Sequence, residues 1–310
     1  MTLLLDEQIR ANRRKTVFLV ATMLVLLFLV VGTVGVLFGL GVYAFVFAFF
    51  GVLLYFFAAS GGGVPAILKA AQARPIDPRN REEKVLEYRV EELAIASGIP
   101  KPKVYVQDSK DINAFAAGKR PEEAVLCVTK GAMDLLNDEE MEGVLSHEMS
   151  HIKNYDVRLM TYTLAIVGII AITAEIVFRV MLFGGLRGGG RGSKNAGPAI
   201  LILVVVGVLA LILAPLVSRM VYFAVSRRRE YLADASGAYM TRNPEGLAKA
   251  LEKIKHDLPD DPKGSKTVAA LYLQNPWKRA LRSSVWSTHP PLDDRIRRLR
   301  GEAWKADAPT

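Results

Sequence analysis

The stretch His147-Glu148-Met149-Ser150-His151 decides how the chain folds, because it sets two imidazoles at a helical spacing. The residues before it are typical of a helix start, with Asn137 as the N-cap and Glu140 three residues further on. On such a helix, side chains four residues apart share a face, so both histidines can bind one metal ion. Glu148 projects beside them, where a general base would act.

Chance is the competing explanation for this motif. Two surface histidines could fall four residues apart by accident, but His-Glu-x-x-His arises by chance in under roughly one in a hundred chains of this length. The helical context lowers that frequency further. We therefore interpret the motif as part of a metal site.

A third metal ligand is expected downstream, at Glu230 or Asp234. These carboxylates lie four apart on a predicted helix, so one can bind the metal while the other accepts the N–H of a ligating histidine. Taken alone, the pair could equally form a solvated acidic face. A longer histidine motif would need Gly at position 154 and His at position 157, but the chain has Asn154 and Val157. A glutamate, and not a third histidine, should therefore complete the site.

The N-terminal part of the chain carries a long uncharged segment. Residues 16–68 contain no Asp, Glu, Lys or Arg, whereas one membrane span needs about 20 apolar residues. The segment predicts two transmembrane helices near Val17–Phe38 and Val42–Ala59, joined by a turn at Gly39-Leu40-Gly41. A signal peptide does not fit, because its apolar region would be only about 7–15 residues long.

A second apolar block covers residues 159–225 and is less regular. Glu175 and Arg179 interrupt it, although they could pair at helical spacing and so lower the cost of burial. The block predicts a second helical hairpin inserted between the helices that carry the metal ligands. The alternative is a helical pair packed on protein at the membrane surface. Because His147 and Glu230 flank the block and must meet at one ion, it crosses the membrane twice or not at all.

These segments divide the chain into four parts. Residues 1–60 are the N-terminal transmembrane hairpin, and residues 158–225 are the second hydrophobic hairpin. Residues 61–157 and 226–310 are the two parts of one polar domain, which carries the metal motif in its first part and the third ligand in its second. The expected fold class is a mainly α membrane protein with a small α+β domain.

The charge distribution predicts an orientation in the membrane and disfavours a nucleic-acid partner. The chain has 40 Lys and Arg against 31 Asp and Glu, a net charge of +9, and much of the excess lies beside the apolar segments. The basic residues next to the apolar segments place the N-terminus in the cytoplasm: Arg10, Arg13, Arg14, Lys15, Arg227, Arg228 and Arg229. Arg187, Arg191 and Lys194 disagree with this orientation, because they would lie in a short outer loop.

The remaining reactive side chains give weaker signals. His289 precedes Pro290 and Pro291 on a predicted loop, where it could stabilise a developing oxyanion or simply lie at the surface. His256 follows a predicted helix that begins after Asn243 and should be a surface residue. Cys127 lies in a short apolar run, and this pattern predicts that the cysteine is part of the core. A single cysteine excludes a disulfide framework.

Several separated motifs in order make the chain resemble the HtpX-type membrane zinc metalloproteases, which are distant relatives of the CAAX prenyl proteases. The resemblance covers most of the chain and includes the two N-terminal spans and the motif at His147. The other matching stretches are Asn113-Ala114-Phe115-Ala116 with Gly118, Thr129-Lys130-Gly131, Val144-Leu145-Ser146, Asn154 with Asp156, Ser226-Arg227 with Glu230 and Asp234, and Thr288-His289-Pro290-Pro291 before Arg295-Ile296.

The resemblance implies a zincin-like protease domain that binds one Zn²⁺ per chain. It implies Glu148 as the catalytic base and Asp234 as a residue that orients a ligand. A segment at the border of the site would present a strand edge to the substrate backbone. The implied zinc ligands are His147, His151 and Glu230, and the implied substrate-binding residues are Asn113, Ala114 and Phe115.

The resemblance further implies a multi-pass protein of the cell membrane, with its active site facing the cytoplasm. Its substrates would be membrane or misfolded proteins, in a quality-control role under stress. Three other interpretations stay open. They are a CAAX-type prenyl-protein protease, a non-catalytic membrane scaffold with structural zinc, and a transporter built around Glu175 and Arg179. Structural zinc favours four protein ligands with several cysteines, which this chain lacks.

Overall fold

The computed structural model describes residues 40–162, 227–256, 271–273 and 290–301, with scattered positions between 14 and 36. Of residues 55–62 and Arg228 it describes the backbone alone. The described residues fall into two compact units, which divide between Gly62 and Gly63 and between Thr161 and Tyr162. The predicted metal site belongs to the unit that contains residues 63–161 and the described residues from 227 onward.

The helix α1 spans Tyr43–Ala70 and follows a turn at Gly41. Gly41 has a positive φ of 55°, which a residue without a Cβ adopts easily, and the turn lies where the sequence predicted it. The second predicted span ended at Ala59, but the helix continues to Ala70. The reason is that Ile67 and Leu68 supply a further buried apolar turn of helix.

No helix among the described residues is both long and apolar enough to cross a membrane. Half of the predicted span Val17–Phe38 lies outside the described residues. The same holds for most of the block 159–225, including Glu175 and Arg179.

A four-stranded sheet in the order β1-β2-β4-β3 supports the site. The two central strands are parallel to each other, and the outer two run antiparallel to their neighbours. β4 is buried along its whole length, as expected for a central strand covered on both faces, which confirms the core position predicted for Cys127. The strands are β1 Ala73–Pro75, β2 Lys103–Gln107, β3 Ala114–Ala117 and β4 Val125–Thr129.

Helices of the same unit pack on this sheet and on one another. The long helix α4 contacts α2, β3, α5 and α6, so it runs through the middle of the unit. Its buried apolar side chains, among them Leu145 and Met149, join those of α6 in one core. The helices are α2 Arg81–Ser97, α3 Lys130–Leu135, α4 Asp138–Lys153, α5 Arg227–Thr241, α6 Pro244–His256 and α7 Leu292–Leu299.

Two helix starts confirm the sequence prediction. The Asn137 side chain accepts the Glu140 N–H at 2.9 Å, while the Glu140 carboxylate accepts the Asn137 N–H at 2.8 Å, which forms a capping box at α4. At α6, Asn243 accepts the Gly246 N–H at 3.2 Å, and His256 is an exposed residue at the C-terminal end. These caps fix where each helix begins, and so which residues of α4 reach the site.

Glycines allow the helices to approach α4 closely. A Cβ at Gly143 would lie 2.5 Å from the backbone nitrogen of Leu247 on α6. A Cβ at Gly237 on α5 would lie 3.0 Å from the backbone nitrogen of His147. Because α5 carries Glu230 and Asp234, the contact at Gly237 sets the distance between these carboxylates and the histidines.

The loop before β3 is held by buried polar groups. The Thr129 hydroxyl accepts the Asn113 N–H at 2.9 Å and lies 2.6 Å from the Asp111 carbonyl oxygen, to which it donates. The Gly131 N–H donates to the Ser109 carbonyl at 2.8 Å. A Cβ at position 131 would lie 1.9 Å from the Lys110 carbonyl oxygen, so only glycine fits there.

Candidate metal centre

Three side chains from two helices converge on one point; His147 and Glu230 are buried, and His151 is partly exposed. His147 and His151 come from successive turns of α4, and Glu230 comes from the first turn of α5. The two Nε2 atoms are 3.2 Å apart. The Glu230 oxygens lie 3.6 Å from Nε2 of His151 and 3.8 Å from Nε2 of His147. The structure therefore brings together the three residues that the sequence predicted as ligands.

These spacings fit a tetrahedral cation. Two ligand atoms bound to Zn²⁺ at about 2.0–2.1 Å lie roughly 3.3–3.4 Å from each other. Two imidazoles and one carboxylate are also the ligand set of catalytic zinc sites, which keep a fourth position open. Cys127 is in β4 and is not part of this cluster, so the described residues do not offer the Cys-rich set of a structural site.

Asp234 holds the first ligand in a defined orientation. Its Oδ1 lies 2.9 Å from Nδ1 of His147, which leaves Nε2 facing Glu230. Burial lowers the pKa of His147 to about 4, helped by the nearby Arg295, so the imidazole is neutral and able to bind a metal. Burial alone would raise the pKa of Asp234, but Arg295 and His147 outweigh it and hold that pKa well below its usual range.

Arg295 is a site residue that the sequence analysis missed. It has no exposed surface and binds Asp234 through two hydrogen bonds, from Nε at 2.9 Å and from Nη2 at 2.7 Å. Its Nη1 lies 3.8 Å from Glu230 and has no hydrogen-bond partner within the described part of the chain. The sequence contains an indication of this burial, because position 295 lies in the apolar stripe of α7 formed by Leu292, Ile296 and Leu299.

Asp156 contacts His151, and the sequence analysis assigned no role to this aspartate. Its Oδ2 lies 3.2 Å from Nδ1 of His151. Burial lowers the pKa of His151, but the hydrogen bond to Asp156 and the charge of Glu230 outweigh it and raise that pKa to about 9. The other oxygen of Asp156 is 3.6 Å from Nε of Arg229, which is itself buried.

Glu148 has the environment of a proton-transfer group. It is buried beside the two histidines, and this burial raises its pKa to about 7. The backbone N–H of Ala116 donates to its carboxylate and opposes part of that rise. A carboxyl group with a pKa near neutrality can both accept and return a proton.

The edge strand β3 borders the site through its backbone. The hydrogen bond from Ala116 to Glu148 places the strand beside the candidate base. Asn113, Ala114 and Phe115 are all buried, and Phe115 packs edge-on against Tyr272 with ring centroids 5.5 Å apart. The side chains of this segment therefore hold the strand in place, and its backbone faces the site.

His289, predicted as a possible oxyanion stabiliser, lies outside the described residues. The two prolines that follow it lead directly into α7, and Pro291 is the N-cap of that helix.

A histidine pair on one helix, a carboxylate from a second helix and an acid between the histidines define a His-Glu-x-x-His metallopeptidase. The pattern of Peptidase family M48 matches residues 80–303, and the chain belongs to this family. It is a metal-dependent peptidase, which confirms the resemblance noted in the sequence.

Relatives match over nearly the whole chain. A protein named Protease HtpX homolog from Dictyoglomus thermophilum is 44% identical over 96% of this chain and 96% of its own length. One of the same name from Streptococcus uberis is 40% identical over 96% of this chain and 99% of its own. Among solved structures, S. mikatae Ste24p aligns with a TM-score of 0.44 and 18% identity, over 81% of this chain and 58% of that one.

Proposed function

We propose that the protein is a membrane-bound zinc metalloendopeptidase that cleaves peptide bonds of membrane or misfolded proteins. Its active site faces the cytoplasm, and its role is protein quality control. The observation that carries the proposal is the cluster of His147, His151 and Glu230 beside the buried Glu148. The HtpX-homologue relatives support the same assignment.

Each site residue has a defined task. His147, His151 and Glu230 hold the metal, and Asp234 fixes the tautomer of His147. When bound, zinc supplies Lewis-acid polarisation of water and of the substrate carbonyl. Glu148 accepts a proton on its carboxylate from the attacking water and returns it to the departing amine. His289 is proposed as a donor to the developing oxyanion.

The substrate backbone adds to β3 as a further strand. Within the described sheet, β3 has a strand neighbour on one side only, and the opposite side faces Glu148. Binding by strand addition uses main-chain hydrogen bonds and therefore tolerates many sequences, as a quality-control enzyme requires. In this arrangement Asn113, Ala114 and Phe115 contribute their position and backbone, because their side chains are engaged inside the unit.

The membrane location rests on the sequence. The uncharged stretch of residues 16–68 is long enough for two spans, and the basic residues before it favour a cytoplasmic N-terminus. The block 159–225 lies between ligands of one metal site, which is consistent with an even number of crossings.

The test compares detergent-purified wild type with Glu148→Gln. We expect about one zinc per chain in both proteins, because the substitution leaves all three ligands in place. Casein cleavage should fall by about 10²–10⁴-fold in the variant, since proton transfer contributes that much to such reactions. A variant that cleaves casein at the wild-type rate would remove Glu148 from its role.

The substrate class is tested separately. A farnesylated peptide and an unfolded membrane protein are offered to the same wild-type preparation. We expect cleavage of the unfolded protein, whereas exclusive cleavage of the farnesylated peptide would favour the prenyl-protein protease. If the wild-type protein binds zinc but does not cleave casein, the result would instead favour the non-catalytic scaffold.

A further inference from the structure

Each histidine of the candidate metal centre is joined to a carboxylate, and each carboxylate to an arginine. The first chain of contacts is His147, Asp234 and Arg295. The second chain is His151, Asp156 and Arg229. The second chain differs in its place in the sequence, because Asp156 and Arg229 flank the inserted block 158–225.

The geometry at His151 is that of an oriented ligand. Nε2 of His151 faces Glu230 at 3.6 Å, and when Nε2 binds a metal ion Nδ1 must carry the proton, which it can donate to Asp156 at 3.2 Å. The Asp156 side chain is only 7% exposed, so this hydrogen bond is shielded from solvent. An imidazole held in this way keeps one tautomer and one ring orientation.

The backbone makes a costly turn to bring Asp156 into this place. The helix α4 ends at Lys153, and a new helical stretch, residues 156–162, begins directly afterwards. Between them Tyr155 has a φ of 61°, a left-handed conformation that costs a non-glycine residue roughly 1 kcal/mol or more. Strain of this kind persists where surrounding contacts over-determine it, and it concentrates at functional sites.

Arg229 connects this carboxylate to the other side of the metal centre. Its Nε lies 3.6 Å from Oδ1 of Asp156, and its side chain is 9% exposed. Arg229 directly precedes Glu230. One turn of α5 therefore supplies both the proposed ligand Glu230 and the arginine that contacts Asp156. A movement at the start of α5 would therefore displace Glu230 and release Asp156 together.

We propose that Asp156 is a positioning residue for His151, braced by Arg229, and that the pair ties both ends of the inserted block to the metal centre. This inference rests on the proposed zinc site. It adds a second histidine–carboxylate–arginine chain and makes the geometry of the centre depend on the ends of the block. The competing explanation is that Asp156 only caps the helical stretch that it begins.

The experiment measures zinc in full-length, detergent-purified protein by its dissociation constant and by its rate of loss to a chelator. The variants are Asp156→Asn, Asp156→Glu, Arg229→Gln and the double variant of the first and third. Asp138→Asn is the matched control, because Asp138 is an exposed acid at the start of α4 that also pairs with an arginine, Arg89. His151→Ala is the reference for a lost ligand.

We expect Asp156→Asn to weaken zinc binding about 10–100-fold, the usual effect of removing the partner of a ligating histidine. Asp156→Glu should restore part of this loss, and Arg229→Gln should cause a smaller one. The double variant should bind zinc about as Asp156→Asn does, because on this proposal the arginine acts through the Asp156 carboxylate. Asp138→Asn should match wild type.

Three results would overturn the proposal. Wild-type zinc affinity in Asp156→Asn would leave Asp156 as a helix cap alone. Fully additive losses in the double variant would show that Arg229 acts independently. If Asp156→Asn does not fold, a wild-type rate of zinc loss in Arg229→Gln would show that Arg229 does not support Asp156. A wild-type protein that binds no zinc, or a His151→Ala protein that keeps it, would instead refute the zinc site itself.

Discussion

At the scale of single residues, the buried guanidinium of Arg295 supports the candidate metal centre. It shares two hydrogen bonds with Asp234, and Asp234 in turn holds His147. A buried ion pair is only weak evidence for stability by itself, because removing both charges from water is expensive. Breaking such a pair on one side, however, leaves an uncompensated charge in the interior.

We therefore expect Arg295→Met to lower the free energy of unfolding by about 3–5 kcal/mol, since the buried Asp234 carboxylate would lose its charged partner and keep only His147. Chemical unfolding followed by circular dichroism measures this change. Arg297→Met is the control on the same helix, because Arg297 is exposed and its pairing with Asp294 lies in solvent. The control should change the free energy by less than about 0.5 kcal/mol. Equal effects of the two substitutions would contradict the role given to Arg295.

A second residue-scale prediction concerns Glu83 near the start of α2. Its buried carboxylate accepts two hydrogen bonds from Arg74, at 2.7 and 3.0 Å, and one from the Asp77 N–H at 2.6 Å. The bonds to Arg74 lower the pKa of Glu83, against the opposing effect of burial. A lowered pKa stabilises the fold above the ordinary pKa of glutamate, about 4.3, and that contribution disappears as the pH falls through the folded value.

Glu83→Gln should thus destabilise the protein at pH 7 by about 1.5–3 kcal/mol, the range for hydrogen bonds to charged groups. The difference from wild type should shrink progressively below pH 4. Urea unfolding of both proteins across pH 3–7 measures the difference. A gap that stays constant over the whole range would exclude ionisation of Glu83 as its cause.

At the scale of helices and strands, the close contact of α5 with α4 sets the metal geometry. Gly237 makes this approach possible, because a Cβ there would lie 3.0 Å from the backbone nitrogen of His147 and 3.0 Å from the Ser146 hydroxyl. Backbone atoms cannot give way as a flexible side chain can. A larger residue must therefore push the helix that carries Glu230 away from the histidines.

Gly237→Val should weaken zinc binding and casein cleavage together, by about tenfold or more, because a displacement near 1 Å is enough to disturb such a site. Zinc affinity and kcat/KM are the measurements. Ala235→Val places the same β-branched side chain at an exposed position of the same helix and should leave both values near wild type. Wild-type zinc affinity in Gly237→Val would show that the two helices can separate without consequence.

Local patterns in the sequence predicted the parts of the fold that depend on neighbours along the chain. The capping box at Asn137, the cap at Asn243 and the shared face of His147 and His151 all follow from spacings of a few residues. The order of the strands was not predictable in this way. β3 pairs with β4, which follows it in the chain, and not with β2, which precedes it. Such pairing depends on contacts that no local pattern encodes.

Arg295 was missed for a related reason. A run rich in arginine is usually solvated, and its neighbours Arg297 and Arg298 fit that expectation. Inside the protein, the guanidinium of Arg295 is hydrogen-bonded to Asp234, which is 61 residues away in the sequence. The contact of Asp156 with His151 had no sequence signal. It depends on a left-handed turn at Tyr155, and no glycine marks that turn in the sequence.

At the scale of the whole molecule, the metal centre cross-links segments that are remote in sequence. The ligands on α4 and α5 lie on either side of the block 158–225, so a bound cation holds together two parts of one unit. A ligand that binds the folded state alone stabilises it by RT ln(1 + [L]/Kd), which is about 4 kcal/mol at a thousandfold excess over Kd.

Zinc removal should consequently lower the thermal midpoint of the detergent-solubilised protein, and restoring zinc should raise it again in a concentration-dependent manner. Glu230→Gln should lose most of this response, because it replaces a charged ligand from the second segment. Differential scanning fluorimetry with and without chelator measures the shift. An identical midpoint in both conditions would mean that the two helices are joined without the metal.

The separation of the ligands also has a meaning for biosynthesis. A ribosome releases the two histidines first, the third ligand only after the hydrophobic insert has emerged, and Arg295 last, 148 residues after His147. A nascent chain therefore cannot assemble the three-residue cluster until Glu230 has been synthesised.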